Sequence, residues 1–370
     1  MSHNADLPTP LRRRDFLRSL GAAGAALLAG CALPSTGSAS VSAALPTPTP
    51  RPLALNTPTP QPAAAGTKSK AAKARVALVK TDNRAEGVRR ATALFGLPAV
   101  TGKSVFLKPN YNSADPAPGS THLDVLETLV ELLQAGKPSR IVLGERSGMG
   151  NTRQVLDQMG VLDLAQQMKF ETLVFDELGA GDWQHVNPPG SHWARGFALP
   201  KALLAADVVV QACCLKTHRF GGHFTLSLKN SVGLAAHTVP GEGYNYMGEL
   251  HASPHQRRMI AEINTAYTPS LIVLDGVEAF RSGGPDTGDK VQANVVLAGS
   301  DRVAVDAVGV ALLRLLGTTP AVSAGSIFAQ EQLARAVELG LGVRSGEEIE
   351  LVTDDSASAQ VAAQVKELLA

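Results

Sequence analysis

The chain has 370 residues with 34 basic and 33 acidic side chains, so it is near neutral and long enough for one large folded unit or two closely joined lobes. That balance argues against nucleic acid as a partner, and an aromatic content of 4% leaves little for base stacking or carbohydrate platforms.

The N-terminus carries addressing signals. Arg13-Arg14-Asp15-Phe16-Leu17-Arg18 is a twin-arginine pattern. The uncharged, Gly- and Ala-rich run 19–29 follows, shorter and less apolar than a bilayer span of about twenty residues requires. Leu28-Ala29-Gly30-Cys31 closes it. The first element resembles a signal for the twin-arginine export machinery, which moves folded proteins, and the second resembles a bacterial lipobox with Cys31 as the lipidated residue. The expectation is a signal peptide over 1–30 and a protein held through an N-terminal lipid to the membrane, at the outer face of the cytoplasmic membrane or in the periplasm. Ser38-Ala39-Ser40 offers a rival cleavage that would release a soluble protein. Removing residues 1–30 takes away four arginines and two aspartates, leaving a net charge of −1.

Residues 31–73 are a linker rich in Pro, Thr and Ala, with Pro46-Thr47-Pro48-Thr49-Pro50 and Pro58-Thr59-Pro60 repeating one theme. Such a segment stays extended, and about forty residues at roughly 3 Å each reach up to ~100 Å from a lipid. Residues 74–370 are the folded part. Short apolar runs predict strands over 75–80, 104–107, 140–143, 172–175, 207–211, 271–274 and 294–297. Most are continuous rather than alternating, as strands covered on both faces should be. Helical spacing falls over 123–134, 153–159, 256–267, 303–316 and 327–339. The alternation predicts an α/β fold, a mostly parallel sheet flanked by helices.

In such sheets ligands bind beyond the carboxyl ends of the strands, and those positions are polar here. They hold Lys108-Pro109-Asn110, Gly144-Glu145-Arg146-Ser147-Gly148, Cys213-Cys214-Leu215-Lys216-Thr217-His218 leading to Ser227-Leu228-Lys229-Asn230, Asp275-Gly276 with Ser282-Gly283-Gly284-Pro285, and Ser300-Asp301 with Asp306 in the next helix. Lys108, Lys216 and His218 are the candidate catalytic set. Lysines desolvated near one another would lower one ammonium toward neutrality, suiting a base, a Schiff base or the cradling of an anion, and His218 would shuttle a proton. Asn110, Lys229, Asn230, Asp275, Gly284 and Asp306 are candidate ligand contacts, while Asp301 sits where a helix N-cap belongs.

The order K-P-N, A-D-V-V-V ending in K-T-H, L-K-N-S-V-G, a Gly-Pro loop and S-D-R-V-A-V-D-A resembles the domain-of-unknown-function family 362, over 105–316. The short strand that follows Gly340-Leu341-Gly342 is also similar to that family. The resemblance supplies no reaction. Many members carry a ferredoxin-like segment with repeated cysteine spacing; this chain has three Cys and no C-x₂-C-x₂-C run, so an iron–sulfur cluster is not expected.

Five of nine histidines cluster at 218, 223, 237, 251 and 255. His251 and His255 stand at i, i+4, a spacing that on a helix grips one metal ion, so His218, His251 and His255 are the candidate metal set, although Pro254 intrudes. The segment 240–246 reads as a flap. The functional expectation is an enzyme acting on an anionic small molecule through a Lys/His centre, with or without a metal or organic cofactor. The alternative is a lipid-anchored protein that binds an anion without chemistry.

Overall fold

The computed structural model describes residues 73–370. The twin-arginine pattern, Cys31 and residues 31–72 of the linker lie outside them. The strands in chain order are β1 (Ala74–Lys80), β2 (Ser104–Lys108), β3 (Arg140–Glu145), β4 (Glu171–Val174), β5 (Trp183–Val186), β6 (Phe197–Pro200), β7 (Val208–His218), β8 (His223–Thr225), β9 (Leu271–Gly283), β10 (Gly288–Gly299) and β11 (Ile349–Val352). Nine of these form one sheet among the described residues, in the order β11-β1-β10-β9-β7-β2-β3-β4 with β8 joined to β7; β5 and β6 form a separate antiparallel hairpin.

Strands β9, β7, β2, β3 and β4 are parallel to one another in that order, and β11 is parallel to β1. Among the described residues only β10 and β8 pair antiparallel within this sheet. The fold is therefore α/β with a mostly parallel, helix-flanked sheet. The continuous apolar runs have the expected cause. Along β1, Val76 and Leu78 pack into one hydrophobic cluster while Ala77 and Val79 pack into another, so both faces are covered. The Arg302–Leu315 and Ser356–Leu369 helices cover the first face; the Arg84–Phe95 and Leu123–Ala135 helices cover the second. A third cluster, built on Phe106, Phe175, Trp183 and Trp193, seats the β5–β6 hairpin.

Two strands run well past their expected ends. β7 continues from Gln211 to His218 because β8 supplies a ladder partner for Lys216–His218. β9 and β10 are 13 and 12 residues long and pair as a hairpin whose turn contains Gly284 and Pro285. A register shift between Cys214 and Lys216 displaces the end of β7 against β9. Cys213 and Cys214 are both buried and free. Among the described residues no helix is long and apolar enough to cross a membrane.

Candidate functional site

The carboxyl ends of β2, β3 and β7 open onto a cleft of about 500 Å³, roofed by the Ser227–Asn230 turn of helix and by the Tyr246–Ala252 helix. Strand β2 ends at Lys108 and β3 at Glu145, neighbours in the parallel sheet. Their side chains form an ion pair of 2.6 Å, each 1% exposed. The Lys108 ammonium also donates to the Pro109 carbonyl at 2.6 Å. Glu145 accepts two further bonds, from the backbone N–H groups of Tyr111 and Arg146. Burial pushes the Lys108 amine down, and Glu145 opposes that shift. Gly233 lies against the pair: a Cβ there would stand 2.8 Å from Glu145 Oε1 and 3.0 Å from Lys108 Nζ.

Arg146, one residue beyond β3, is buried without a carboxylate partner. Its guanidinium donates to the carbonyls of Ala235, Val232 and Ser147 and to Met247 Sδ. These acceptors fix the plane of the group; no carboxylate bonds to it, and Asp176 and Glu145 act on its charge only through space.

Lys216 is fully buried, and its ammonium donates to Asn110 Oδ1 at 2.9 Å, to the Pro285 carbonyl at 3.1 Å and to the Gly119 carbonyl. Three N–H groups meeting three acceptors make it a saturated ammonium, whose burial pulls its pKa down. Gly284 makes room for this, since a Cβ on its left-handed backbone would strike the Thr217 carbonyl. Asn110 in turn donates to Asn230 Oδ1, and Asn230 donates to the Lys108 carbonyl at 3.3 Å. The two asparagines thus tie Lys216 to the end of β2.

Lys229 differs from both. It lines the cleft, is 9% exposed, and among the described residues its amine has no hydrogen-bond or ion-pair partner. Burial first, then Lys216 and Arg146, push it down to about 7. Beside it, His218 Nδ1 is buried and unpartnered. Burial, aided by Lys229 and Lys216, lowers His218 so far that the ring is neutral. A Cβ at Gly222 would stand 2.6 Å from Lys229 Cε and 3.0 Å from His218 Nδ1, so this glycine carries both groups on its bare face.

The cleft therefore gathers Lys108, Asn110, Lys216, His218, Lys229 and Asn230, together with His251. Four expected residues fall elsewhere, Gly284 among them, in the β9–β10 turn beside the cleft. Asp275 is outside the cleft, where its carboxylate accepts from Arg84 Nε at 2.8 Å and from the Val277 N–H. Asp306 accepts from the N–H groups of Ser227 and Leu228 at 2.7 and 3.0 Å, capping the helical turn that bears Lys229 and Asn230; burial raises it to about 7. His255 is outside the cleft and rests against His192, ring centroids 4.5 Å apart. The expected i, i+4 grip fails because Pro254 sits between two helices, with His251 in the last turn of Tyr246–Ala252 and His255 at the N-cap of Gln256–Ile263. Among the described residues no group of three or more His, Cys, Asp or Glu is arranged to hold a metal ion. The 240–246 segment is a turn that leads, through the Asn245 cap, into the Tyr246–Ala252 helix. Asp301 is the N-cap of Arg302–Leu315, as expected.

Glu145 and Arg146 are the residues whose parts in the site the sequence did not assign. The signal for them was the adjacency of β3 to β2, which a sequence without strand order does not carry.

A thylakoid-associated protein of Synechocystis sp. is 28% identical over 226 residues, covering 58% of this chain and 64% of the relative, so the chain spans less than two thirds of that protein's length. The lactate racemase apoprotein of Thermoanaerobacterium thermosaccharolyticum superposes with a TM-score of 0.40 at 16% identity, over 64% of this chain and 57% of that one. The family model described as domain of unknown function (DUF362) matches residues 105–311, more than half the sequence and the whole lysine-bearing sheet end, and the chain belongs to that family.

Proposed function

We propose that the cleft takes a small anionic molecule and that the chain is an enzyme whose acid/base centre is Lys229 with His218. One observation carries this reading: three buried cations, Lys108, Arg146 and Lys216, together with the Lys229 amine, pushed to about 7, line the cleft against a single carboxylate, Glu145. Burying uncompensated charge is costly, and an anionic ligand relieves that cost. The acid/base part first expected of Lys216 passes to Lys229, because all three Lys216 N–H groups are engaged. Lys108 and Lys216 hold the positive field; Lys229, pushed to about 7, is the group poised to exchange a proton, and neutral His218 stands beside it. The twin-arginine pattern and Cys31 support a setting outside the cytoplasmic membrane, on a lipid tether. A membrane-proximal setting agrees with the thylakoid association that the relative's name records.

The test is proton exchange. Pyruvate, whose acidic C–H lies beside its ketone, and malonate, whose acidic C–H lies between two carboxylates, are incubated with the protein in D₂O and followed by NMR. Deuterium incorporation that is lost in Lys229→Ala supports the enzyme. Binding of both anions without exchange overturns the catalytic reading and leaves an anion-binding protein.

A further inference from the structure

Lys229 is built as a nucleophile as well as a base. We propose that its amine forms a Schiff base with the carbonyl of a small 2-oxo acid whose carboxylate faces Arg146. This rests on the reading of the cleft as an anion site and adds the class of molecule and the bond it makes.

The three lysines of the cleft differ in what their nitrogens still have to give. Lys216 has three N–H groups meeting three acceptors, and Lys108 is bound to Glu145 and Pro109. Each is held as an ammonium and has no lone pair to offer. The Lys229 amine has no partner among the described residues and faces open volume. Its stem is held against Gly222, where a side chain would collide with Cε. The charged and titratable groups around it are Lys216, Arg146, His218 and His251, none of them acidic. That environment favours the neutral amine.

The step needs no oxidant or reductant. The Lys229 lone pair forms a C–N bond to the carbonyl carbon, and the C=O π pair moves to oxygen, which takes one of the two protons carried by the amine nitrogen. His218, neutral and with a free Nδ1, stands beside the amine as a hydrogen-bond acceptor. The second nitrogen proton passes to the carbinolamine hydroxyl, which departs as water when the C=N bond forms. Arg146 supplies the charge that holds the carboxylate, since no carboxylate of the protein pairs with it. A 2-oxo acid joins the two required groups on adjacent carbons.

The experiment uses the full chain, pyruvate as probe and sodium cyanoborohydride as trap, followed by intact mass and peptide mapping. The expected result is one reduced pyruvyl adduct per chain, mapped to Lys229 in the unaltered protein and lost in Lys229→Arg. Calorimetry with pyruvate and with oxalate, which has no ketone, runs alongside. If pyruvate binds and no adduct forms, or the adduct spreads over surface lysines, the Schiff base is overturned while the anion site stands. If neither anion binds, both readings fall. Mapping in the unaltered protein keeps the test valid even if a variant folds poorly.

Discussion

Replacing Lys229 with methionine should stabilise the protein at neutral pH, the reverse of what truncating a buried charge in an ion pair does. Methionine keeps an unbranched stem of similar reach against Gly222 and removes the ammonium. Burial and its cationic neighbours bring the amine from 10.5 to about 7. Between those two values the unfolded chain binds more protons than the folded one, so the Lys229 contribution to stability rises with pH. Its cost is absent above about pH 10.5, grows as pH falls and is complete below about pH 7. At one pKa unit per 1.36 kcal/mol, that cost is about 4 kcal/mol at pH 7, an upper bound for a group that relaxes into the open cleft. His218 stays neutral across this window, and the substitution leaves the engaged Lys216 and Arg146 N–H groups in place, so neither reverses the sign. Urea unfolding of wild type and Lys229→Met at pH 7 and pH 9.5 reads the effect. The variant should gain roughly 2–4 kcal/mol at pH 7 and much less at pH 9.5. A variant less stable than wild type at pH 7, or a gain equal at both values, would refute the idea that the fold holds this amine at a cost.

The rest of the cleft gives further expectations. Glu145→Gln leaves the Lys108 ammonium buried without its counter-charge, and should destabilise by about 3–5 kcal/mol in denaturant melts, a loss partly recovered by adding Lys108→Met. Asp306→Ala strips two buried N–H groups of their acceptor and frees the turn that aims Lys229. About 2–4 kcal/mol of stability should go, together with the site-selective labelling of Lys229 by an amine reagent. Cys31→Ala should move the protein from the membrane fraction to the soluble fraction, and Arg13→Lys with Arg14→Lys should keep it in the cytoplasm, both read by fractionation and blotting.

What the sequence could show of this fold follows from which signals are local. The strand runs near 75–80, 104–107 and 140–143 were plain because both faces of the sheet are covered and the runs are continuously apolar. The extension of β10 was not, because its outer residues are held by strand pairing rather than by burial, Lys290 and Gln292 being exposed rungs of the ladder; the end of β7 is buried, but its polar Lys216, Thr217 and His218 break the apolar run. The Arg84–Phe95 helix escaped for a related reason, with charged Arg84, Glu86, Arg89 and Arg90 diluting its apolar spacing. In the site, the rule of strand ends found Lys108, Lys216 and His218 but could not rank the lysines. Their ranking depends on acceptors supplied from far along the chain, Gly119 and Pro285 for Lys216 and Glu145 for Lys108. Asp275 and Asp306 were polar groups in apolar surroundings, and their partners, Arg84 and the N–H groups of Ser227 and Leu228, were just as remote.

The central claim is that uncompensated positive charge in the cleft exists to hold an anion. Calorimetric titration of oxalate into the full chain tests it most directly, with wild type beside Arg146→Met. One oxalate should bind per chain, with at least about a tenfold weaker affinity in the variant, the scale of one charge-assisted hydrogen bond. No measurable binding by the wild type, or equal binding by both proteins, would contradict it.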